Sequence, residues 1–532
     1  MRQRPRIVVV LAVGVLVGLL VASGEATGPA GAAVTKKRPV SKTAKKKTPT
    51  SVASTIVVPV SAPPSTVPVQ PLAQFRSCVT SALECADVSV PLDPKNLAGE
   101  RATLFVSRRK ASGPASRIGV LLVNPGGPGG PTYDLVRSAA RFFTPEVLER
   151  FDIVGVDPRG TLRSVPLRCD TPLLAPDSPT VGAASLDENL RHYYEEFAKT
   201  CSINDGDRLQ FLDTETAARD MEAVRQALGE EEISYLGMSY GTYLGAVYRS
   251  LFPTHVRTMI LDSAIDPTRF GVNQLLDTVI ATEVALDGFL NECASGRLNP
   301  CNFNDGTDLP AKYLRVREEY VTGSLRGREG GEEIFDSTVS DLVGYPRNGW
   351  PILGRALQEL ATKQPADFNP TPADSRSIDD SERLVPLDRF STATNFAINC
   401  RDGLLPRDPD SYQTVRDQTP VVGPRFSGLR GDARLTYTCL TWPAPPVARV
   451  PLVPQTDAAT LVIGNKFDLT TPYVWSQNLA ASIGAPLLTR NGGGHVAIDK
   501  SACIRDAAAR FFVDKAIPAS GTICSPSLEN PS

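Results

Sequence analysis

Glu232-Ile-Ser-Tyr-Leu-Gly-Met-Ser-Tyr-Gly-Thr-Tyr-Leu-Gly-Ala-Val-Tyr248 is the stretch that decides the fold. Glu232 to Leu236 reads as a short strand and Thr242 to Tyr248 as a helix. Between them sits Gly237-Met-Ser-Tyr-Gly241, a G-x-S-x-G box at a strand–turn–helix junction. A turn that tight needs small flanking residues and holds the Ser239 hydroxyl out at the helix N-terminus. The box alone is only a glycine-rich turn. The strand before it and the helix after it mark Ser239 as a candidate nucleophile.

A serine hydroxyl is a weak nucleophile at neutral pH. It needs a base to take its proton and a carboxylate to orient that base. Three histidines make the search short. His192 precedes the serine, in Arg-His-Tyr-Tyr-Glu-Glu, and His255 lies at the far end of the elbow helix. His495 follows Gly492-Gly-Gly494, after the last expected strand. The chain order serine, acid, histidine selects His495. Asp468 is then the acid: it follows the apolar run Leu461-Val-Ile-Gly464 and leaves room for one helix and one strand before His495. Asp457 and Asp499 compete, but neither sits just beyond a strand end ahead of the histidine.

An oxyanion formed at this site needs backbone amide donors. Tyr240, next after the serine, supplies one. The other is expected in Asn124-Pro-Gly-Gly-Pro-Gly-Gly130, directly after the strand Gly119 to Val123, where glycine lets the backbone approach a substrate closely. Gly127 is the first choice and Gly126 the second, also as a substrate contact. No Gly-Lys-Ser/Thr follows, which excludes a phosphate loop.

Further strands are expected at Ala102–Ser107, Ile118–Val123, Phe151–Val156, Thr258–Asp262, Ala459–Ile463 and Pro486–Thr489. Thr214 to Leu228 reads as a helix, capped by Asp213 or Thr214 and ended by Gly229. Apolar strands alternating with helices predict an α/β, doubly wound, mostly parallel sheet. From Ile265 to about Thr394 the pattern turns helical, as in Asp277–Leu290 and Ile352–Thr362, and predicts an inserted, mainly helical lid. The expected organisation is a signal segment (1–33), a linker (34–72), a first core part (73–265), the lid (266–395) and a C-terminal core part (396–532).

At 532 residues, 42% hydrophobic and 21% charged, the composition is that of a soluble globular enzyme. Arg2, Arg4 and Arg6, the apolar run Ile7 to Ala22 and Ala30-Gly-Ala32 predict a cleaved export signal and a secreted or envelope-associated protein. Ten cysteines fall as neighbours, and in an exported chain they predict disulfides, simplest as Cys78–Cys85, Cys169–Cys201, Cys293–Cys301, Cys400–Cys439 and Cys503–Cys524. No C-x-x-C pair is present, and no metal or other cofactor is expected. The chain carries −2 in all; setting aside the seven Lys and Arg of residues 36–47 and the +2 before them leaves −11 for residues 73–532. An acidic body excludes nucleic acid as its partner and favours cationic substrates. The Pro/Ser/Thr/Lys linker is expected to be disordered, its basic half 36–47 suited to contact with an anionic cell-wall or membrane surface.

Asn124-Pro-Gly-Gly-Pro-Gly-Gly130, Asp157-Pro-Arg-Gly160, Gly237-Met-Ser-Tyr-Gly-Thr242 and Leu261-Asp-Ser-Ala-Ile-Asp-Pro267 resemble the exported tripeptidyl-aminopeptidase-like serine hydrolases, relatives of proline iminopeptidase in the α/β-hydrolase fold. Ala397-Ile-Asn-Cys-Arg-Asp402, Asp468-Leu-Thr-Thr-Pro472 and Gly494-His495 resemble that family's C-terminal part. Two positions depart from it: Pro131, where a small polar residue is usual, and Val496, where glycine is common. The resemblance implies release of short peptides from a free N-terminus, with acids of the lid meeting the amine. Glu283, Asp287 and Glu292, on or just after the first lid helix, are candidates. Two other readings stay open: a secreted carboxylesterase or lipase acting on small esters with the same triad, and a non-catalytic cell-surface binding protein. The presence of all three triad residue types argues against the second.

Overall fold

Strands that are apolar along most of their length are expected to be buried on both faces, and in the computed structural model they are. β4 (Gly119–Asn124), β5 (Phe151–Val156) and β6 (Ile233–Met238) are buried at every position. The structure describes residues 67, 69–78, 82–169, 186–298, 300–322, 332–363, 390–428, 435–455 and 459–525. The expected signal segment, the basic stretch 36–47 and most of the linker lie outside them, as does Asp457. The chain divides into residues 1–64 and 65–532, and all that follows concerns the second unit.

The sheet also contains β1 (Arg76–Ser77), β2 (Glu84–Pro91), β3 (Arg101–Arg109), β7 (Val256–Asp262), β8 (Thr460–Phe467), β9 (Leu487–Gly493) and β10 (Ile523–Cys524). Its order is β1-β2-β3-β5-β4-β6-β7-β8-β9-β10. The first three strands pair antiparallel, as does β3 with β5; every pair from β5 to β10 is parallel. The C-terminal ends of β4, β6, β7, β8 and β9 therefore lie side by side, and the loops leaving them form one edge.

One face of the sheet is covered by the helix Thr214–Ala227 and the elbow helix Tyr240–Leu251, through Met221, Val224, Tyr243 and Val247. Asp213 caps the first of these by accepting the Thr216 amide at 2.8 Å. The other face is covered by the helix Ala502–Asp514, through Phe511 and Phe512.

Between β7 and β8 comes a run of helices, of which Val272–Ala294, Leu309–Val321, Glu332–Val343 and Gly349–Ala361 share a separate apolar core around Phe289, Tyr313, Phe335, Trp350 and Leu353. The boundary at 395 is not a clean cut. Ala393, Ala397 and Ile398 of the helix Thr392–Arg401 already lie in the main core, whereas Phe426 returns to the core of the insertion. The folded body also begins before residue 73. Gln70 is buried, and its amide donates to Gln226 Oε1 at 3.2 Å.

All ten cysteines are paired with their sequence neighbours. Among the described residues no helix is long and apolar enough to cross a membrane, and no group of three or more His, Cys, Asp or Glu could hold a metal ion.

Candidate active site

β6 delivers the chain to Ser239 at φ 56° and ψ −127°, a conformation that costs a non-glycine residue about 1–3 kcal/mol. Neighbouring strands and turns hold it there. The Ser239 amide donates to the Asp262 carbonyl at the end of β7 (3.0 Å), and the Thr242 amide and hydroxyl donate back to the Ser239 carbonyl (2.9 and 2.6 Å). The two glycines of the box have steric reasons. A β-carbon on Gly237 would run into the Gly241 carbonyl, and one on Gly241 would lie 2.8 Å from both the carbonyl and Oδ1 of Asn124.

The glycine loop after β4 lies against this elbow. Gly126, Gly127 and Gly129 have φ of 92°, 112° and 94°, open to glycine at little cost. A β-carbon on Gly126 would sit 2.5 Å from the Met238 carbonyl oxygen and 2.9 Å from both Ser239 Cβ and the Tyr240 amide nitrogen. The Gly126 amide is taken by Asn124 Oδ1 at 2.9 Å. The Gly127 and Tyr240 amides donate to no other described residue.

His495 and Asp468 are directly paired. Nδ1 of the imidazole lies 3.0 and 3.2 Å from the two carboxylate oxygens. Asp468 is buried and also accepts the amides of Thr470 (2.9 Å) and Thr471 (3.0 Å) and the Thr471 hydroxyl (3.0 Å). Burial alone would push its carboxyl up, but the charge and hydrogen bond of His495 and these donors hold it below the ordinary value. With Nδ1 facing the carboxylate, Nε2 is left to take a proton. Ser239 and His495 are not hydrogen-bonded to each other here. Catalytic hydrogen bonds are often long before substrate binds.

The loop carrying His495 is braced from β7. Asp262 accepts the amides of Ala497 (3.0 Å) and Ile498 (2.8 Å), and the Ser263 hydroxyl accepts that of Val496 (3.0 Å). Lys500 Nζ donates to the His495 carbonyl at 2.8 Å. Burial pushes the Asp262 carboxyl up to about 7, against the pull of the two amides. Sequence reasoning gave Asp262 and Ser263 no role. The resemblance of Leu261–Pro267 flagged the segment, but not what it holds. The insertion packs on the same side: β-carbons on Gly288 and Gly493 would lie 3.0 Å from the Phe467 ring and 2.7 Å from Pro346.

The other histidines are engaged elsewhere or exposed. His255 Nδ1 lies 3.1 Å from buried Glu222, and His192 is on the surface of the helix Leu186–Asp205. Glu283, Asp287 and Glu292, expected to meet a substrate amine, already have internal cations. Glu283 accepts the Arg425 amide (2.7 Å) and its guanidinium, Asp287 accepts Arg425 Nη1 (2.7 Å), and Glu292 holds Arg297 through two bonds of 2.8 Å.

Comparison with known proteins adds two family matches: the alpha/beta hydrolase fold over residues 119–300 and TAP-like protein over residues 428–524. Carboxylesterase B of Mycobacterium tuberculosis is 30% identical over 466 residues, covering 83% of this chain and 86% of that protein. The tripeptidyl aminopeptidase of Streptomyces coelicolor is 29% identical over 466 residues, covering 84% and 83%. Serine protease Hip1 of Mycobacterium tuberculosis is 29% identical over 472 residues, covering 83% and 87%.

Proposed function

The chain belongs to the TAP-like serine hydrolases of the α/β-hydrolase fold, and from that premise we propose that it is an exported exopeptidase releasing short peptides, tripeptides foremost, from free N-termini. The carrying observation is its similarity, over more than four-fifths of its length, to a tripeptidyl aminopeptidase. The strained serine, glycine loop and acid–histidine pair on one edge of the sheet support acyl transfer. The apolar N-terminal run behind three arginines and the five disulfides support export.

In this mechanism Ser239 Oγ attacks the scissile carbonyl carbon while its proton passes to His495 Nε2. Asp468 holds Nδ1–H and stabilises the imidazolium. The carbonyl oxygen becomes an oxyanion that accepts hydrogen bonds from the Tyr240 and Gly127 amides. The C–N bond breaks as His495 returns its proton to the leaving amine, leaving an acyl-serine. Water then gives a proton to His495 and attacks the ester, and as the acyl C–O bond breaks His495 passes that proton to Ser239 Oγ, releasing the peptide acid. The cycle balances without a cofactor.

A substrate ammonium would be drawn by the −11 body. It would meet Glu283 or Asp287 only by sharing them with Arg425, and Glu292 only by sharing it with Arg297. The basic segment 36–47 would hold the enzyme to an anionic envelope polymer.

The 30% identity to a carboxylesterase favours a second reading, a short-chain esterase using the same serine. Alanyl-prolyl-alanyl chromogenic amides with free and acetylated N-termini, measured beside medium-chain esters at several salt concentrations, separate the two. The exopeptidase reading expects about a 10-fold or greater preference for the free amine that survives added salt, as a desolvated pair would. Equal rates on both amides with faster ester cleavage would assign the esterase.

A further inference from the structure

Resting on the proposed serine chemistry, we propose that the helix Thr392–Arg401 is a strut joining the two halves of the oxyanion hole, and that Asp402 at its end is a positioning residue for the Tyr240 amide. The two amide donors come from chain segments more than a hundred residues apart, the glycine loop and the elbow. An oxyanion is stabilised only if both amides meet it at about 2.7–3.1 Å. Gly126 already packs the loop against the elbow, and this helix adds a second link: it holds the loop directly and reaches the Tyr240 phenol through Asp402 and Thr214.

At its N-terminal end the Ser391 amide donates to the Gly129 carbonyl (3.2 Å), and Asn395 Nδ2 donates to the Pro128 carbonyl (2.9 Å). The glycine loop is thus held by the first turn. At the other end Asp402 accepts the Thr214 amide (3.1 and 3.2 Å) and the Thr214 hydroxyl. Thr214 Oγ1 lies 2.5 Å from the Tyr240 phenol. Above pH 7, where Asp402 is ionised, Thr214 gives its one hydroxyl proton to the carboxylate, so the phenol donates to Thr214. Burial raises the Tyr240 phenol well above its ordinary pKa, which keeps that proton in place. Asp402, Thr214 and Tyr240 are at most 3% exposed, so water cannot substitute for any link. The helix itself is tied down by the Cys400–Cys439 disulfide and by Thr394 Oγ1 donating to the Gly160 carbonyl (2.7 Å). A ten-residue helix is a rigid rod of about 15 Å, so the relation of its two ends is fixed.

Tyr240→Phe removes the phenol without changing the ring, and Asp402→Asn keeps the shape but, in an assay above pH 7, removes the charge. With 4-nitrophenyl acetate as substrate, each should lower kcat about 10-fold with KM within twofold, because acylation and deacylation both pass through an oxyanion. The affinity for phenylboronic acid, whose serine adduct places an oxygen in the hole, should fall by the same factor. The double variant should be no worse than the weaker single one, as expected of a chain acting as one unit. A merely structural role would lower the melting temperature and leave the ratio of boronate affinity to KM unmoved. If Asp402→Asn does not fold, Tyr240→Phe alone decides. Unchanged kcat and boronate affinity in Tyr240→Phe would overturn the strut. Labelling of the wild-type chain with a fluorophosphonate separates the two failures: no label on Ser239 sinks the serine chemistry itself, while a labelled enzyme with insensitive variants sinks only the strut.

Discussion

Gly126→Ala tests the apposition of the glycine loop and the elbow more sharply than removal of any catalytic group. The new β-carbon would lie 2.5 Å from the Met238 carbonyl oxygen and 2.9 Å from both Ser239 Cβ and the Tyr240 amide nitrogen. Carbon sits comfortably against such atoms only near ~3.5 Å, so the loop or the elbow must move by about 0.5–1 Å. A misplacement of about 1 Å at a reacting centre costs roughly 10²-fold in rate. The φ of 92° adds about 1–2 kcal/mol of backbone strain, which lowers stability but does not by itself misalign the donors. Gly296→Ala separates the two effects. It has φ 73° and nothing within 4 Å of its β-carbon, so it carries the strain without the collision. With 4-nitrophenyl acetate, Gly126→Ala should lose about 10²-fold in kcat and react correspondingly slower with a fluorophosphonate, while Gly296→Ala should keep kcat within twofold. Both should melt at lower temperature. Wild-type kcat in Gly126→Ala, or an equal loss in Gly296→Ala, would show that the loop does not press on the nucleophile.

Asp262 and Asp402 are both pushed up to about 7 by burial, so each holds its proton more tightly in the folded chain than in the unfolded one, where aspartate titrates near ~3.9. The stability they contribute is full below about pH 4 and is lost as pH rises through 7. Asp402→Asn should flatten the fall in melting temperature between pH 5 and 8, and an unchanged slope would contradict the assignment. Asp468 and Asp499, both held low, act the other way: their stabilisation is lost only as the solution is acidified below about pH 4. Peptide mapping without reduction should recover the five neighbour pairs, and replacing Cys400 and Cys439 with serine should cost about 2–4 kcal/mol in denaturant unfolding. Free thiols or crossed linkages would refute that framework.

The strands most legible in the sequence are the mainly apolar ones, and where such a strand buries a polar side chain, as β5 does at Asp152, that group is hydrogen-bonded. Phe151–Val156 is recovered residue for residue. β2 carries no such signal, because it is only partly covered and mixes Glu84, Asp87 and Ser89 with its apolar residues. The pairing of His495 with Asp468 is legible because both follow strand ends in the order serine, acid, histidine. Their braces are not: Asp262 finds its partners 235 and 236 residues away, and they are backbone amides, which carry no residue signature. The acids of the insertion show the converse. A carboxylate on a helix looks free in sequence, yet Glu283 meets its arginine 142 residues away. Spacing rules reach one element and its neighbours, and charge matching across an insertion lies beyond them.

Val496 shows how this chain holds its histidine with a residue the fold does not prefer. Its φ of 69° suits glycine, the residue common there in the resembling family, and a β-branched side chain in that region is strained by about 1–2 kcal/mol. The side chain is fully buried in the apolar layer with Ala497, Ile498 and Phe511, and such burial is worth about 1.5–3 kcal/mol. Glycine would also cost about 0.5–1 kcal/mol of extra backbone entropy. Burial and stiffness together outweigh the strain, so valine is the more stabilising choice despite its backbone. That balance holds only while the segment cannot relax to a negative φ. The Ser263 hydroxyl on the Val496 amide and the Asp262 carboxylate on the next two amides prevent it. The brace and the strained valine therefore depend on each other: the brace makes the strain tolerable, and the anchored side chain keeps the loop from sliding along its hydrogen bonds. Both fix the segment next to His495, the residue whose orientation the chemistry can least afford to lose.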